Sequence, residues 1–129
     1  MKDSSLTKSI SYKDFKKEVL NDYKTIITSR EASLLGRKEV LSGKAKFGIF
    51  GDGKELPQVA MSKVFEKGDF RSGYYRDQTF MFSIKELSVE QFFAGLYSNT
   101  NFEEEPMSGG RQMGSHFSTV LVDENGEFK

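Results

Sequence analysis

The chain has 129 residues and carries 19 Lys+Arg against 19 Asp+Glu, so its formal charge is zero, which argues against a nucleic-acid binder working through bulk positive charge. It has no cysteine, which excludes disulfides, thiolate metal sites and cysteine catalysis, and its one histidine, His116, argues against a His-rich metal centre or a Ser-His-Asp triad. The length suits one small domain, and with 12 Phe its core should be Phe-rich.

Residues 1–10 are polar and read as a disordered tail. They hold no apolar stretch of signal-peptide length, and no later run approaches the ~20 residues of a membrane span. A cytoplasmic protein with no membrane and no nucleic-acid partner is the expectation. Ser11 with Asp14 resembles a capping box. Behind it Phe15, Val19, Leu20, Tyr23, Ile26 and Ile27, then Leu34, Leu35, Val40 and Leu41, recur at three-to-four spacing. The spacing predicts one long helix over 12–42, ended by Gly43, with a kink at Gly36. Such a stripe is core or a partner interface.

The glycine-rich stretch 43–54 reads as a packed loop. A short helix over 56–65 follows, with Pro57 in its first turn and Leu56, Val59, Ala60 and Val64 on one face. Residues 70–75 are aromatic and read as an extended piece, and 77–84 as helix. Ser88 and Gln91 form a capping box opening a helix that carries Phe92, Phe93, Leu96 and Tyr97. Residues 98–115 are a long polar loop, of the kind that is often functional. Glu103-Glu104-Glu105 within it reads as a solvated acidic run. Residues 119–122 then 123–126 give a strand-then-turn signature, as in a hairpin whose second strand is missing.

Three constellations bear on chemistry. Gly51-Asp52-Gly53 fits neither a dinucleotide loop nor a phosphate-binding loop ending in Gly-Lys-Ser/Thr, and reads as a structural turn. Tyr74-Tyr75-Arg76-Asp77 puts two phenols and a planar guanidinium before a helix start, a donor set suited to phosphate oxygens. An Arg76–Asp77 surface pair beside packed tyrosines is the competing reading. Gly109-Gly110-Arg111-Gln112-Met113-Gly114-Ser115-His116 places a soft apolar side chain and a proton-capable one in a loop. There a solvated loop histidine competes.

Tyr75-Arg76-Asp77, followed 34 residues after Arg76 by Gly110-Arg111-Gln112-Met113-x-x-His116, closely resembles the alpha part of the thiamine-diphosphate-dependent branched-chain 2-oxo acid (2-oxoisovalerate) dehydrogenase, its decarboxylating component. Gly53-Lys54-Glu55 with Gln58-Val59-Ala60 is similar to that family's Gly-His-Glu…Gln-Val-Ala helix start, with Lys54 in place of the histidine. The wording of 72–84 and 88–97 is most like bacterial forms in which alpha and beta parts are fused.

The resemblance implies a mainly α chain. It would be the N-terminal helical segment of a thiamine-diphosphate-binding α/β fold, truncated before the parallel sheet, with 11–129 an incomplete domain. It implies Tyr75 and Arg76 as cofactor-binding residues and Phe47, Tyr75, Met113 and His116 as the substrate pocket, His116 also acting in catalysis. The cofactor decarboxylates a branched-chain 2-oxo acid, and the acyl group passes to the lipoyl group of an acyltransferase component. The magnesium ligands, the remainder of the alpha part and the beta part lie outside this chain, so no metal site is expected within it. A homo-oligomer is expected, and the fragment alone should be inactive. The Gly-Arg-Gln-Met wording favours branched-chain substrates over a pyruvate- or acetoin-type relative. A non-catalytic helical assembly domain is the alternative of another class.

Overall fold

The computed structural model describes residues 10–117 and 122–128, and its regular elements are four helices, α1 (Tyr12–Leu41), α2 (Glu55–Ser62), α3 (Gln78–Ser83) and α4 (Val89–Leu96). Among the described residues there is no strand beyond an isolated antiparallel bridge between Val122 and Phe128, as expected of a helical segment. The tail at 1–9 and the strand at 119–121 lie outside the described residues. The turn at 123–126 does close: Phe128 supplies the first pairing of the return arm read as missing. No helix among the described residues is long and apolar enough to cross a membrane.

The helix ends follow local chemistry. Ser11 caps α1 by accepting the Asp14 N–H at 3.2 Å, and Ser88 and Gln91 cap α4 reciprocally. At the C-terminus of α1, Gly43 N–H reaches the Val40 carbonyl and Lys44 N–H reaches that of Glu39, with Gly43 at φ 77°. The same pattern ends α3 at Lys85 (φ 63°) and α4 at Ser98 (φ 55°), where no glycine announces it.

The faces differ from the sequence expectation. α1 is continuous through Gly36 and buries Ser29, Ala32, Ser33, Gly36 and Glu39, while Phe15, Val19, Leu20, Tyr23, Ile27, Leu34 and Leu35 are exposed. The reason is close approach. A Cβ on Gly36 would sit 2.4 Å from the Phe50 ring, so this side of α1 must carry small residues. Likewise α2 starts at Glu55, ends at Ser62 short of the expected residue 65, and buries Glu55, Gln58 and Val59; Leu56 is exposed, as is Val64 beyond the helix end. Residues 70–73 form no strand pairing, and 75–77 are a turn.

The core is Phe-rich, as composition implied. Ala32, Phe80, Met81, Leu87 and Phe92 are buried together, with Phe50, Phe65, Phe82 and Phe93 packed against them. α3 is the centre: Gln78, Thr79, Phe80 and Met81 are buried in succession because α3 lies against both α1 and α2. Its polar half is satisfied within the core. Gln78 Nε2 donates to the Ser29 carbonyl, Ser29 Oγ and Ser33 Oγ at 3.0, 3.1 and 2.8 Å, and Ser29 and Thr79 hydroxyls are 2.6 Å apart.

Three buried carboxyl groups are held below the ordinary carboxylate range. The forked hydrogen bonds of Arg30 (2.6 and 2.8 Å) lower Glu55 against the opposing effect of burial. The Tyr97 hydroxyl, donating at 2.6 Å, lowers Glu39. Burial pushes Glu105 up, but N–H groups of Gly110, Ser108 and Met107 pull it further down. Folded values below unfolded ones stabilise the fold above the unfolded carboxylate value of ~4.3, and that contribution is lost as pH falls through the folded values. The thermal midpoint should therefore be nearly level from about pH 7 to 5 and drop steeply below about pH 4. Equal midpoints at pH 7 and pH 3 would contradict these assignments.

Candidate functional site

The turn before α3 is built from both flanks. Gln58 Nε2 donates to the Arg76 carbonyl at 2.8 Å, and Gln58 Oε1 accepts the Phe80 N–H at 2.9 Å. Gly51 presses on the same carbonyl, since a Cβ there would lie 2.5 Å from the Arg76 oxygen. Asp77 accepts the Tyr74 N–H at 2.8 Å and pairs with Arg71 Nη1 at 2.9 Å. The carboxylate beside Arg76 is therefore occupied by Arg71, and Arg76 makes no ion pair among the described residues. The expected alternative of an Arg76–Asp77 pair is not what forms.

What remains is an exposed guanidinium beside two phenols. Arg76 Cζ lies 5.2 Å from the Tyr75 ring centroid, and the Tyr74 and Tyr75 rings are 4.1 Å apart. A hydrogen bond from Tyr74, with the Arg76 charge nearby, pulls the Tyr75 phenol below its ordinary value. The same bond pushes Tyr74 up. Tyr75 oxygen is thus an acceptor towards its neighbours, which leaves its own proton to donate outward. Together these groups offer donors and positive charge to an anion such as a diphosphate. Among the described residues no group of three or more His, Asp or Glu could hold a metal ion.

The second motif is organised by a residue that reads as solvated in sequence. Glu103 and Glu104 are exposed, but Glu105 is 3% exposed. Its carboxylate accepts the N–H groups of Met107, Ser108 and Gly110 at 3.2, 2.8 and 3.0 Å and the Ser108 hydroxyl at 2.9 Å. The loop then lies on α4. Met113 and Gly114 join Phe47, Lys46, Gly95 and Leu96 in lining an open groove of about 360 Å³. Met113 also lines, with His116, a smaller cavity of about 10 Å³ beside Glu105 and Ser108. His116 is exposed, with Nδ1 3.0 Å from the Met113 carbonyl. A carbonyl only accepts, so Nδ1 carries the proton and Nε2 is left as the free ring position.

Phe47 and Met113 therefore share one groove. Tyr75 and His116 are not among its lining residues. The two motifs are tied by Arg71, which pairs with Asp77, donates through Nη2 to the Phe117 carbonyl at 3.2 Å and lies 5.6 Å from the Phe80 ring. Sequence reasoning missed Arg71 and Glu105, since an isolated arginine and an acidic run carry no sign of burial. Gln58 was visible only as part of a helix start.

Comparison with known proteins finds no match among curated proteins and none among solved structures. The family described as "Dehydrogenase E1 component" matches residues 11–128, a span that takes in all four helices and both motifs. The chain belongs to that family, whose members are thiamine-diphosphate-dependent components of 2-oxo acid dehydrogenases.

Proposed function

We propose that this chain supplies the diphosphate contacts and part of the substrate pocket of a branched-chain 2-oxo acid dehydrogenase. Arg76 offers a planar fork of N–H donors and Tyr75 an outward hydroxyl, and both hold the cofactor diphosphate. Thiamine diphosphate, when bound, supplies the electron sink for loss of carbon dioxide. Phe47 and Met113 form the apolar wall for the branched tail, and Tyr75 and His116 complete the pocket. His116, held through Nδ1–H, presents Nε2 to accept or hold a proton. The acyl product passes to a lipoyl acyltransferase partner. Magnesium takes its ligands from outside this chain, as do the remaining contacts, from the rest of the alpha part and from the beta part. Residues 11–129 are then an incomplete domain of a cytoplasmic homo-oligomer, in an alpha-beta fused form.

The observation that carries this reading is the occupied Asp77. Because Arg71 takes that carboxylate, Arg76 is left without a counter-ion among the described residues, at the position where the resemblance implies a cofactor contact. In the complete enzyme, Arg76→Ala should weaken thiamine diphosphate binding by about 1.5–3 kcal/mol, roughly ten- to hundredfold, the worth of a charged hydrogen bond. Calorimetric titration checks it, and an unchanged dissociation constant sinks the assignment.

Substrate choice rests on the groove. A methylene of fit is worth only ~1–3 kcal/mol, so Met113→Ala should relax discrimination among branched 2-oxo acids by about 10–200-fold at most. Cofactor affinity should hardly move. Specificity constants that stay the same for 2-oxo acids of different tail length would remove Met113 from the pocket.

A further inference from the structure

We propose that Glu105 is a positioning residue that sets the substrate loop, acting through Ser108 on Gln112 and Met113; this rests on the reading that Met113 and His116 face the substrate. The carboxylate is buried on the side of α4, where Gly95 comes close: a Cβ on Gly95 would lie 3.9 Å from the Glu105 side chain. No Lys or Arg among the described residues pairs with it. A buried carboxylate without a cation persists only where several donors converge on it. Four do so here, and all four come from residues 107–110, which lead into Arg111.

The direction of each bond is fixed by chemistry. An ionised carboxylate can only accept, so the Ser108 hydroxyl must spend its proton on Glu105 Oε2. Its oxygen is then free to accept, and it takes the Gln112 N–H at 3.2 Å. Gln112 precedes Met113, whose carbonyl in turn receives His116 Nδ1–H. Two hydrogen bonds thus run from the buried charge through Ser108 to Gln112, the peptide link carries on to Met113, and a third hydrogen bond ties Met113 to His116. Glu105 also anchors the loop through its own backbone, donating to the Asn101 carbonyl at 2.8 Å and accepting from Gly109 N–H at 3.1 Å.

Glu105 and Ser108 touch no proposed cofactor contact, so their effect should fall on substrate discrimination and not on diphosphate affinity. The test uses the complete enzyme with Ser108→Ala, Ser108→Thr, Glu105→Gln and Met113→Ala. It reads amide hydrogen exchange over 106–117, thiamine diphosphate affinity, and kcat and KM for 2-oxoisovalerate and pyruvate. Ser108→Ala removes the hydroxyl's bond to the carboxylate together with the link to Gln112 but keeps the three backbone N–H donors to Glu105, so it tests the idea without unfolding the loop. Its Gln112 amide should exchange about tenfold faster or more, KM for 2-oxoisovalerate should rise severalfold with kcat little changed, and Ser108→Thr should restore both. Glu105→Gln should speed exchange across 107–112.

Exchange unchanged in both Ser108→Ala and Glu105→Gln overturns the relay. Faster exchange with an unaltered ratio of specificity constants overturns its role in substrate selection, provided that Met113→Ala does alter that ratio. A ratio indifferent to Met113→Ala overturns the reading of the pocket itself, and the role of Glu105 in selection with it.

Discussion

Gln78→Leu is expected to lower the folding free energy by about 2–5 kcal/mol, although leucine nearly matches glutamine in bulk. Gln78 is fully buried, and its amide bridges α1, α3 and the glycine loop. Leucine fills the space but abandons Ser33 Oγ, the Ser29 carbonyl and the Gly51 N–H. A buried group left unsatisfied costs about 1–3 kcal/mol, and some of these groups can find other partners, which sets the range. The asymmetry of hydrogen-bond energetics gives a second reading. The double variant Gln78→Leu with Ser33→Ala should recover part of the loss, because it removes an orphan as well as a partner. Chemical denaturation of the three proteins checks both statements. A single leucine variant as stable as wild type would show that the polar core is not what holds α3 against α1.

Gly110→Ala should be nearly as severe, at about 2–5 kcal/mol, and should exceed Gly109→Ala. Both glycines have left-handed backbones, with φ 73° and 57°, which costs an alanine ~1–2 kcal/mol. Their surroundings differ. A Cβ on Gly110 would meet backbone, the Ser98 carbonyl oxygen at 2.5 Å and that of Asn99 at 2.9 Å. A Cβ on Gly109 would meet the Phe102 ring at 2.7 Å, and that ring belongs to an exposed side chain free to swing aside. Overpacking against immovable backbone adds ~1–3 kcal/mol, against a movable ring much less. Because Gly110 N–H also feeds Glu105, the alanine should displace Met113 and disturb substrate discrimination along with stability. Thermal unfolding of the two variants separates them, and equal losses would reject the argument.

The sequence made the helices legible where local chemistry declares itself. Ser11, Ser88 with Gln91, and Gly43 mark ends that the structure keeps. It misled on which faces are buried. An apolar stripe on α1 reads as core, yet the packed side is Ser29, Ala32, Ser33 and Gly36, because Phe50 and α3 approach too closely for anything larger. Burial that works through small and polar residues keeps the helical spacing but leaves no hydrophobic periodicity to mark it. Glu55, Gln78 and Glu105 were invisible for the same reason: each is a polar residue matched to partners distant in sequence or folded back by a turn. The candidate site was legible as motif wording. That Phe47 and Met113 line one groove, and that Arg71 joins the two motifs, depends on how loops drape over α4 and α3, which spacing cannot encode.

α1 is one helix by geometry and two by energetics. From residue 12 to 21 every position is exposed, and the cross-links in this half are the Lys63 ion pairs with Glu18 and Asp22 at 2.8 and 2.7 Å. A solvated helical stretch of such length is marginal in water by itself. Its persistence is borrowed from the half beyond Thr28, which acts as a ready-made nucleus for every turn before it. Fraying should therefore travel inward from Tyr12 and stop near Ser29, with salt shifting the stopping point by screening Lys63. A surface that covered Phe15, Val19 and Tyr23 would gain twice, from the apolar area removed from water and from ordered turns that no longer open and close.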